Sequence, residues 1–150
     1  MIRPANHSDL SYIVDFNSYL CEETEGKSLD RTILESGVAA LLADPEKGRY
    51  FLAESRSGER IGQIMITYEW SDWRNGLFWW LQSVYVTAEY RKRGVFSSLL
   101  KEVSKLAEAD SEVCGIRLYV DKGNAPAQAT YQARGFEHAN YELMEVVFSR

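Results

Sequence analysis

The 150-residue sequence is short of the residues that make metal, disulfide and nucleotide signatures. Cysteine occurs twice, at Cys21 and Cys114, so there is no disulfide framework and no zinc-ligand spacing, and the expected compartment is a reducing cytoplasm. His7 and His138 are the two histidines and stand far apart, so no metal site is expected. No apolar run approaches the roughly 20 residues of a membrane-spanning helix, and residues 1–10 hold no apolar leader core, so neither a membrane nor a secretory signal is expected. Positive charge is not in excess: 17 Lys and Arg stand against 22 Asp and Glu, a net charge of −5. That balance argues against a nucleic-acid partner and mildly favours cationic ones. Neither G-x-G-x-x-G nor G-x-x-x-x-G-K-[ST] occurs, which excludes the common nucleotide loops. No repeat or linker-like segment is present, and the length suits one domain, 1–150, with its own core.

What is present centres on residues 77–109. Residues 77–86 are apolar, aromatic or β-branched and predict a buried strand. After a polar break at 87–90, Arg91-Lys92-Arg93-Gly94 leads into a helix whose face carries Phe96, Leu99, Leu100, Val103, Leu106 and Ala107. A strand, a basic glycine turn and a helix start make an anion site. The first N–H groups of a helix lack intrahelical partners, and the helix dipole adds positive charge there. Gly94 allows close backbone approach, and the basic side chains supply charge-assisted hydrogen bonds. Phosphate or pyrophosphate is the natural ligand; the plain alternative is a solvated turn that starts a helix.

The remaining chain predicts a strand at 1–5, an N-cap at His7-Ser8-Asp9, and a helix with Leu10, Ile13, Val14, Asn17 and Leu20 on one face ending near Cys21. An acidic linker at 22–27 follows, then a helix capped by Asp30 and stopped by Asp44-Pro45. Strands are expected at 49–55 and 60–69, joined through Ser57-Gly58. The second does not alternate cleanly, which predicts burial on both faces or a bulge. A loop is expected at 70–76, and a further strand at 115–120. Pro126 marks a helix to about Arg134, with Gly135 as its cap, and closing strands are expected at 136–139 and 142–148. The order β-α-α-β-β-β-α-β-α-β-β implies an α/β fold, a mixed sheet with helices on its faces.

Val84-Tyr85-Val86, followed by Tyr90-Arg91-Lys92-Arg93-Gly94-Val95-Phe96, resembles the [RQ]-x-x-G-x-[GA] acetyl-CoA motif of the GNAT superfamily of N-acetyltransferases. Phe96 departs from the Gly or Ala at its last position. Residues 124–136 resemble the family stretch N-x-x-[AS]-x-x-[FL]-Y-x-x-x-G-F through Asn124, Ala127, Tyr131, Gly135 and Phe136, with Thr130 before the tyrosine in place of an apolar residue. The element order is similar to the family's over essentially the whole chain.

The resemblance implies an acetyl-CoA-dependent N-acetyltransferase. Arg91, Lys92, Arg93, Gly94, Val95, Phe96 and Ser97 would hold the coenzyme pyrophosphate. Val84, Tyr85 and Val86 would pair with its pantetheine arm, Asn124 and Ala127 would lie beside that arm, and Tyr131 would protonate the leaving thiolate. A backbone N–H near 83–85 would meet the oxyanion. Gln82 stands where some relatives, including the spermidine/spermine acetyltransferases, carry a glutamate. It cannot take a proton, which leaves ordered water leading to Glu69 or Asp72, or free amine from bulk solvent. Trp70, Trp73, Trp79 and Trp80 are either an aromatic wall for an amine or sheet packing and a homodimer contact. With Glu22, Glu23, Glu25, Glu69 and Asp72 they suggest a cationic acceptor. The alternative functions are an acyl-CoA-binding sensor without turnover and a dimerising interaction module.

Overall fold

A computed structural model describes residues 1–149, in two compact units, one spanning Met1–Tyr119 and one beginning at Val120. In the first unit, β1 (Ile2–Pro4) leads to a 3-10 turn at His7–Asp9. Asn6 caps that turn: its side chain accepts from Ser8 N–H, and Asp9 reaches back to Asn6 N–H, while Asp9 itself stands at the N-cap of the helix that follows, without a side-chain cap bond. Helix α1 (Leu10–Glu25) buries Ile13, Val14, Phe16, Asn17 and Cys21. It runs past the expected end at Cys21 because its acidic residues sustain a helix, and it stops at Gly26, whose φ of 65° few other residues adopt. Glu22, Glu23 and Glu25 therefore sit on the last helical turn instead of in a linker. Helix α2 (Arg31–Ala43) begins where Asp30 accepts from Ile33 N–H at 3.1 Å.

The sheet contains β2 (Arg49–Glu54), β3 (Arg60–Ser71), β4 (Gly76–Val86) and β5 (Val113–Leu118) in the order β1-β2-β3-β4-β5. Neighbours are antiparallel except β4 and β5, which are parallel and joined through helix α3 (Val95–Ala109). Tyr50, Leu52 and Tyr85 pack with Ile13, Val14, Phe16 and Val38 on the face carrying α1 and α2. Each such apolar side chain contributes about 1.5–3 kcal/mol on burial. On the other face α3 lies close enough that a Cβ at Gly62 would come 3.2 Å from Val95 and 3.4 Å from Leu99.

Both expectations for the irregular third strand hold together: β3 buries residues on both faces, and Ile61 is an extra residue against Ala53 and Glu54 of β2. The expected 70–76 loop is shorter, because Trp70 and Ser71 continue β3 and Gly76 already belongs to β4. β5 begins and ends two residues before the expected 115–120, since its bounds follow its partner: the ladder runs from Leu77↔Val113 to Leu81↔Leu118.

The second unit holds helix α4 (Ala125–Ala133). Asn124 accepts from Ala127 N–H, Pro126 lies in the first turn, and Gly135 follows in the left-handed region at φ 89°. The closing strands expected at 136–139 and 142–148 do not form among the described residues. Their residue types favour strand, but a strand exists only through a ladder partner. Here Leu143, Val146, Val147 and Phe148 stay exposed, with no ladder formed. Among the described residues, no helix is long and apolar enough to cross a membrane.

One ion network ties the start of the chain to the sheet. Asp9 is fully buried; Arg3 donates to both its oxygens at 2.8 and 2.9 Å, Asn6 N–H donates at 2.9 Å, and Arg60 Nε lies at 3.3 Å. Arg3 also pairs with Glu54 at 2.7 Å. The Arg3 hydrogen bonds outweigh burial and hold the Asp9 carboxyl at about 2, below its ordinary 3.8. A depressed carboxyl pKa stabilises the fold above the unfolded value and is lost as pH falls through the folded one. The contribution, on the order of 2 kcal/mol, should therefore be complete above about pH 5 and fade between pH 4 and pH 2. Urea unfolding of Asp9→Asn against the parent should show a deficit near neutrality that narrows toward pH 2; a deficit independent of pH would refute the charge account.

Candidate active site

On β4 the residues Gln82 and Tyr85 pair with Met65 and Gln63, so Ser83 and Val84 together oppose the single residue Ile64. This is a β-bulge, and the extra residue reverses the strand's phase. Without it Tyr85 would point away from α1. With it Tyr85 is buried against Phe16, ring centres 5.4 Å apart, and near Tyr19 at 6.2 Å. Ser83 pays in backbone conformation, with φ at 49°, where an L-residue is strained. The ladder between β4 and β5 also ends at Leu81↔Leu118, so residues 82–86 extend beyond it. A ligand with amide groups could add itself along such a strand.

Beneath the bulge lies a group of buried polar side chains. Gln63 Nε2 donates to Ser83 O at 2.9 Å and to Asn17 Oδ1 at 3.3 Å, and Asn17 Nδ2 donates to the Tyr50 hydroxyl at 3.1 Å. Burial raises the Tyr50 pKa, against hydrogen bonds from Asn17 and Ser83. None of these three stood out in the sequence as functional. The available signals were a polar residue, Asn17, in the apolar stripe of α1, and Gln63 inside the strand that failed to alternate.

After β4 the chain makes a 3-10 turn at Ala88–Tyr90 and enters α3 through Lys92 at φ 61° and Gly94 at φ 83°. Gly94 is the N-cap and supplies no side-chain cap, so the N–H groups of Val95 and Ser97 at the start of α3 meet no capping side chain, an arrangement that suits an anion. Lys92, Arg93 and Gly94 are exposed, and Val95, Phe96 and Ser97 are half-buried. Arg93 lies over the Tyr90 ring at 5.2 Å. Arg91 is engaged instead of waiting for phosphate: it donates to Val86 O at 2.9 Å and to Glu23 at 2.7 Å, and lies over the Tyr85 ring at 5.4 Å. The Arg91–Glu23 pair is well exposed, so it holds weakly and an incoming anion can compete for it.

The candidates for the acceptor side divide. Thr67, Glu69, Phe78, Trp80 and Gln82 share the α1 face of the sheet by register, and Arg117 joins them from β5. Trp70 pairs with Leu77 and belongs to the opposite face, so it and Trp80 do not form one wall. Trp79 is likewise on the opposite face, edge-on to Tyr68, while Trp73 is exposed in the turn. Glu69 is no free carboxylate: Arg117 donates to it at 2.7 Å and Trp80 Nε1 at 3.2 Å. Arg117 in turn lies 3.7 Å over the Phe78 ring, and Trp80 stacks on Tyr119 at 4.5 Å. Gln82 donates to the Thr67 hydroxyl. Asp72 is exposed and accepts from Trp73 N–H at 2.8 Å, fixing its own turn. Glu22 is exposed on α1.

In the second unit, Asn124 spends its side-chain oxygen on Ala127 N–H, and Tyr131 lies edge-on to Phe136 at 5.5 Å. Burial raises the Tyr131 pKa above its ordinary 10.0, so the phenol keeps its proton at neutral pH. Among the described residues, no group of three or more His, Cys, Asp or Glu side chains could hold a metal ion.

A family model described as the acetyltransferase (GNAT) family matches residues 13–136. Among solved structures, a possible acetyltransferase from Clostridium difficile 630 is 44% identical with a TM-score of 0.92, covering 100% of this chain and 98% of its own. A predicted acetyltransferase with acetyl-CoA from Clostridium acetobutylicum is 19% identical with a TM-score of 0.78, covering 97% of this chain and 95% of its own. The ribosomal-protein-alanine N-acetyltransferase from Brucella melitensis biovar Abortus 2308 shares the fold at 13% identity and a TM-score of 0.78, covering 99% of both chains. No curated protein matches by sequence.

The strain at Ser83 gives a test of the bulge itself. A β-branched residue tolerates φ near 49° far less well than glycine does. Ser83→Val should be less stable than Ser83→Gly by about 2 kcal/mol in urea unfolding; equal stability would mean the bulge relaxes without cost.

Proposed function

We propose that this chain, which belongs to the GNAT acetyltransferase family, transfers an acetyl group from acetyl-CoA to a primary amine by direct attack. The observation that carries the reading is the bulged end of β4, whose residues 82–86 run beyond the β5 ladder into a turn with an uncapped helix start. These features fit the coenzyme. The N–H groups of Val95 and Ser97, which meet no capping side chain, suit a pyrophosphate, with Lys92 and Arg93 beside them and Arg91 released from Glu23. The backbone of Val84, Tyr85 and Val86 suits the amides of the pantetheine arm, as Asn124 and Ala127 do in the family pattern. When bound, the coenzyme supplies an activated thioester carbonyl.

The chain's own part is to orient, polarise and move protons. A backbone N–H of the 83–85 stretch would polarise the carbonyl oxygen, and removing such a donor typically costs about 10²–10³ in rate. Tyr131 would donate its proton to the departing sulfur; burial raises its pKa, which keeps the proton in place at neutral pH and lowers the driving force for giving it up until thiolate charge develops. Gln82 has no proton-accepting role, and Glu69 is compensated by Arg117. Deprotonation of the amine would therefore fall to water or to bulk solvent; Asp72, in the turn beyond Ser71↔Gly76, lies about 20 Å of strand from Gln82 and is too far to serve. Glu22 on α1 and Trp80 on β4 remain the acceptor-side residues, and a net charge of −5 favours an acceptor that arrives as a cation. Trp70 and Trp73 fit surface packing instead.

Thiol release from acetyl-CoA in the presence of an amine panel tests the reading. Polyamines, lysine-like amines or basic peptides should outperform acidic amino acids. A clear preference for glutamate would overturn the cationic acceptor, and the absence of thiol release with every amine would overturn the transferase. Two variants address the parts. Gly94→Glu places a side chain and a negative charge at the helix start, where a Cβ meets no atom within 4 Å but φ of 83° strains any side chain, so Gly94→Ala, with the same strain and no charge, is the reference. Calorimetry should find acetyl-CoA binding lost; unchanged affinity would remove the turn from the site. Tyr131→Phe keeps the ring against Phe136 and removes the proton donor. Turnover should fall about tenfold or more with the Michaelis constant for acetyl-CoA little changed; intact turnover under rate-limiting chemistry would reduce Tyr131 to packing.

A further inference from the structure

Asn17, Tyr50 and Gln63 are buried where α1 crosses the sheet, at 7%, 5% and 0% exposure, among Ile13, Val14, Phe16 and Leu52. A core seldom carries such a group without need, because each buried polar atom must find a partner or destabilise the fold. Here the account does not close: Gln63 Oε1 has no hydrogen-bond partner. An apolar side chain of similar volume would serve packing better. What Gln63 does achieve is specific. Its Nε2 reaches the carbonyl of Ser83, the strained residue of the β4 bulge, at 2.9 Å. Asn17 holds that amide from the other side at 3.3 Å, and Tyr50 holds Asn17 at 3.1 Å while also meeting the Ser83 side chain.

We propose that Gln63, Asn17 and Tyr50 form a buried brace that keeps the β4 bulge in its strained form and thereby sets the direction of the backbone N–H groups at 83–85, with Gln63 as a positioning residue for acetyl transfer. The proposal rests on the reading above, in which this stretch receives the thioester carbonyl. Peptide groups are planar and rigid, so a carbonyl held at Ser83 fixes the orientation of the N–H of Val84 in the same peptide plane. If the plane turns, the N–H turns with it, and a donor aimed away from the developing oxyanion no longer assists. The brace approaches from the α1 side, and none of its three members need touch substrate.

The test compares Gln63→Met, which keeps the volume and removes the amide, with the parent protein. In the ligand-free protein, NMR should show hydrogen exchange accelerated about tenfold at those amides of residues 82–86 that the β3 ladder protects, while the thermal midpoint falls, because Ser83 O and Asn17 Oδ1 lose their Nε2 donor. With carbonyl-labelled acetyl-CoA bound, the infrared carbonyl stretch should move toward that of the free coenzyme. The turnover number should fall about tenfold or more with the Michaelis constant for acetyl-CoA within about twofold. Unchanged exchange and an unchanged stretch in folded Gln63→Met would overturn the brace. If Gln63→Met does not fold, Tyr50→Phe removes only a hydroxyl and must show the same pattern in smaller measure; parent-like values there overturn the proposal equally. Should the parent protein fail to bind acetyl-CoA, the proposed function falls, and the exchange rates alone decide whether the brace holds the bulge.

Discussion

The extra residue in β4 at Ser83 and Val84 constrains everything around it. A strand displays its side chains with a period of two, so a single insertion exchanges the faces of all that follow. Gln82 and Tyr85 thereby lie on the same face, Tyr85 closes onto α1, and Val86 leads toward the turn that opens α3. The same stretch leaves the β5 ladder behind at Leu81. The packing of Tyr85 against α1 is a consequence of this backbone irregularity, and the end of the β5 ladder and the helix start stand on either side of it along the chain. That irregularity is strained, and a strained conformation persists only where its surroundings over-determine it.

Charge is handled in two ways, and burial separates them. Asp9 is out of solvent, meets two guanidinium groups and a backbone N–H, and joins β1, the start of α1 and β3 into one structure. Breaking it would leave an uncompensated buried charge. Arg91–Glu23 and Arg117–Glu69 lie at the surface around the candidate site, where solvent screens them. Pairs of that kind can be exchanged for a ligand's charges with little loss. The ion pairs that resist exchange are therefore at the start of the chain, and the exchangeable ones lie around β4.

Membership of the acetyltransferase family fixes the fold, and the acceptor side proposed above is described by side chains on β3, β4 and β5. Glu69, Trp80 and Arg117 form one connected group on an open sheet face, with Phe78 under the guanidinium and Tyr119 stacked on the indole. A carboxylate already matched by a guanidinium presents little net charge, so selection on that face would depend on shape and aromatic surface as much as on attraction.

The sequence by itself determined the order of helices and strands through β5, the glycine turn ahead of α3, and the asparagine-capped helix carrying Tyr131. Those features are local: hydrophobic period, capping side chains and glycine are read within a few residues. It even marked the third strand as irregular, through Ile61, Ile64 and Ile66. Tertiary structure decided the rest, because the rest depends on partners distant in sequence. Which strand carries the bulge, that Trp70 and Trp80 take opposite faces, and that Glu69 meets Arg117 all follow from register between strands. The unformed closing strands have the same cause in reverse, since strand-favouring residues at 142–148 have no ladder to join. Gln63 shows the limit most clearly: its role rests on the Ser83 carbonyl, 20 residues along the chain, and only the folded sheet brings the two together.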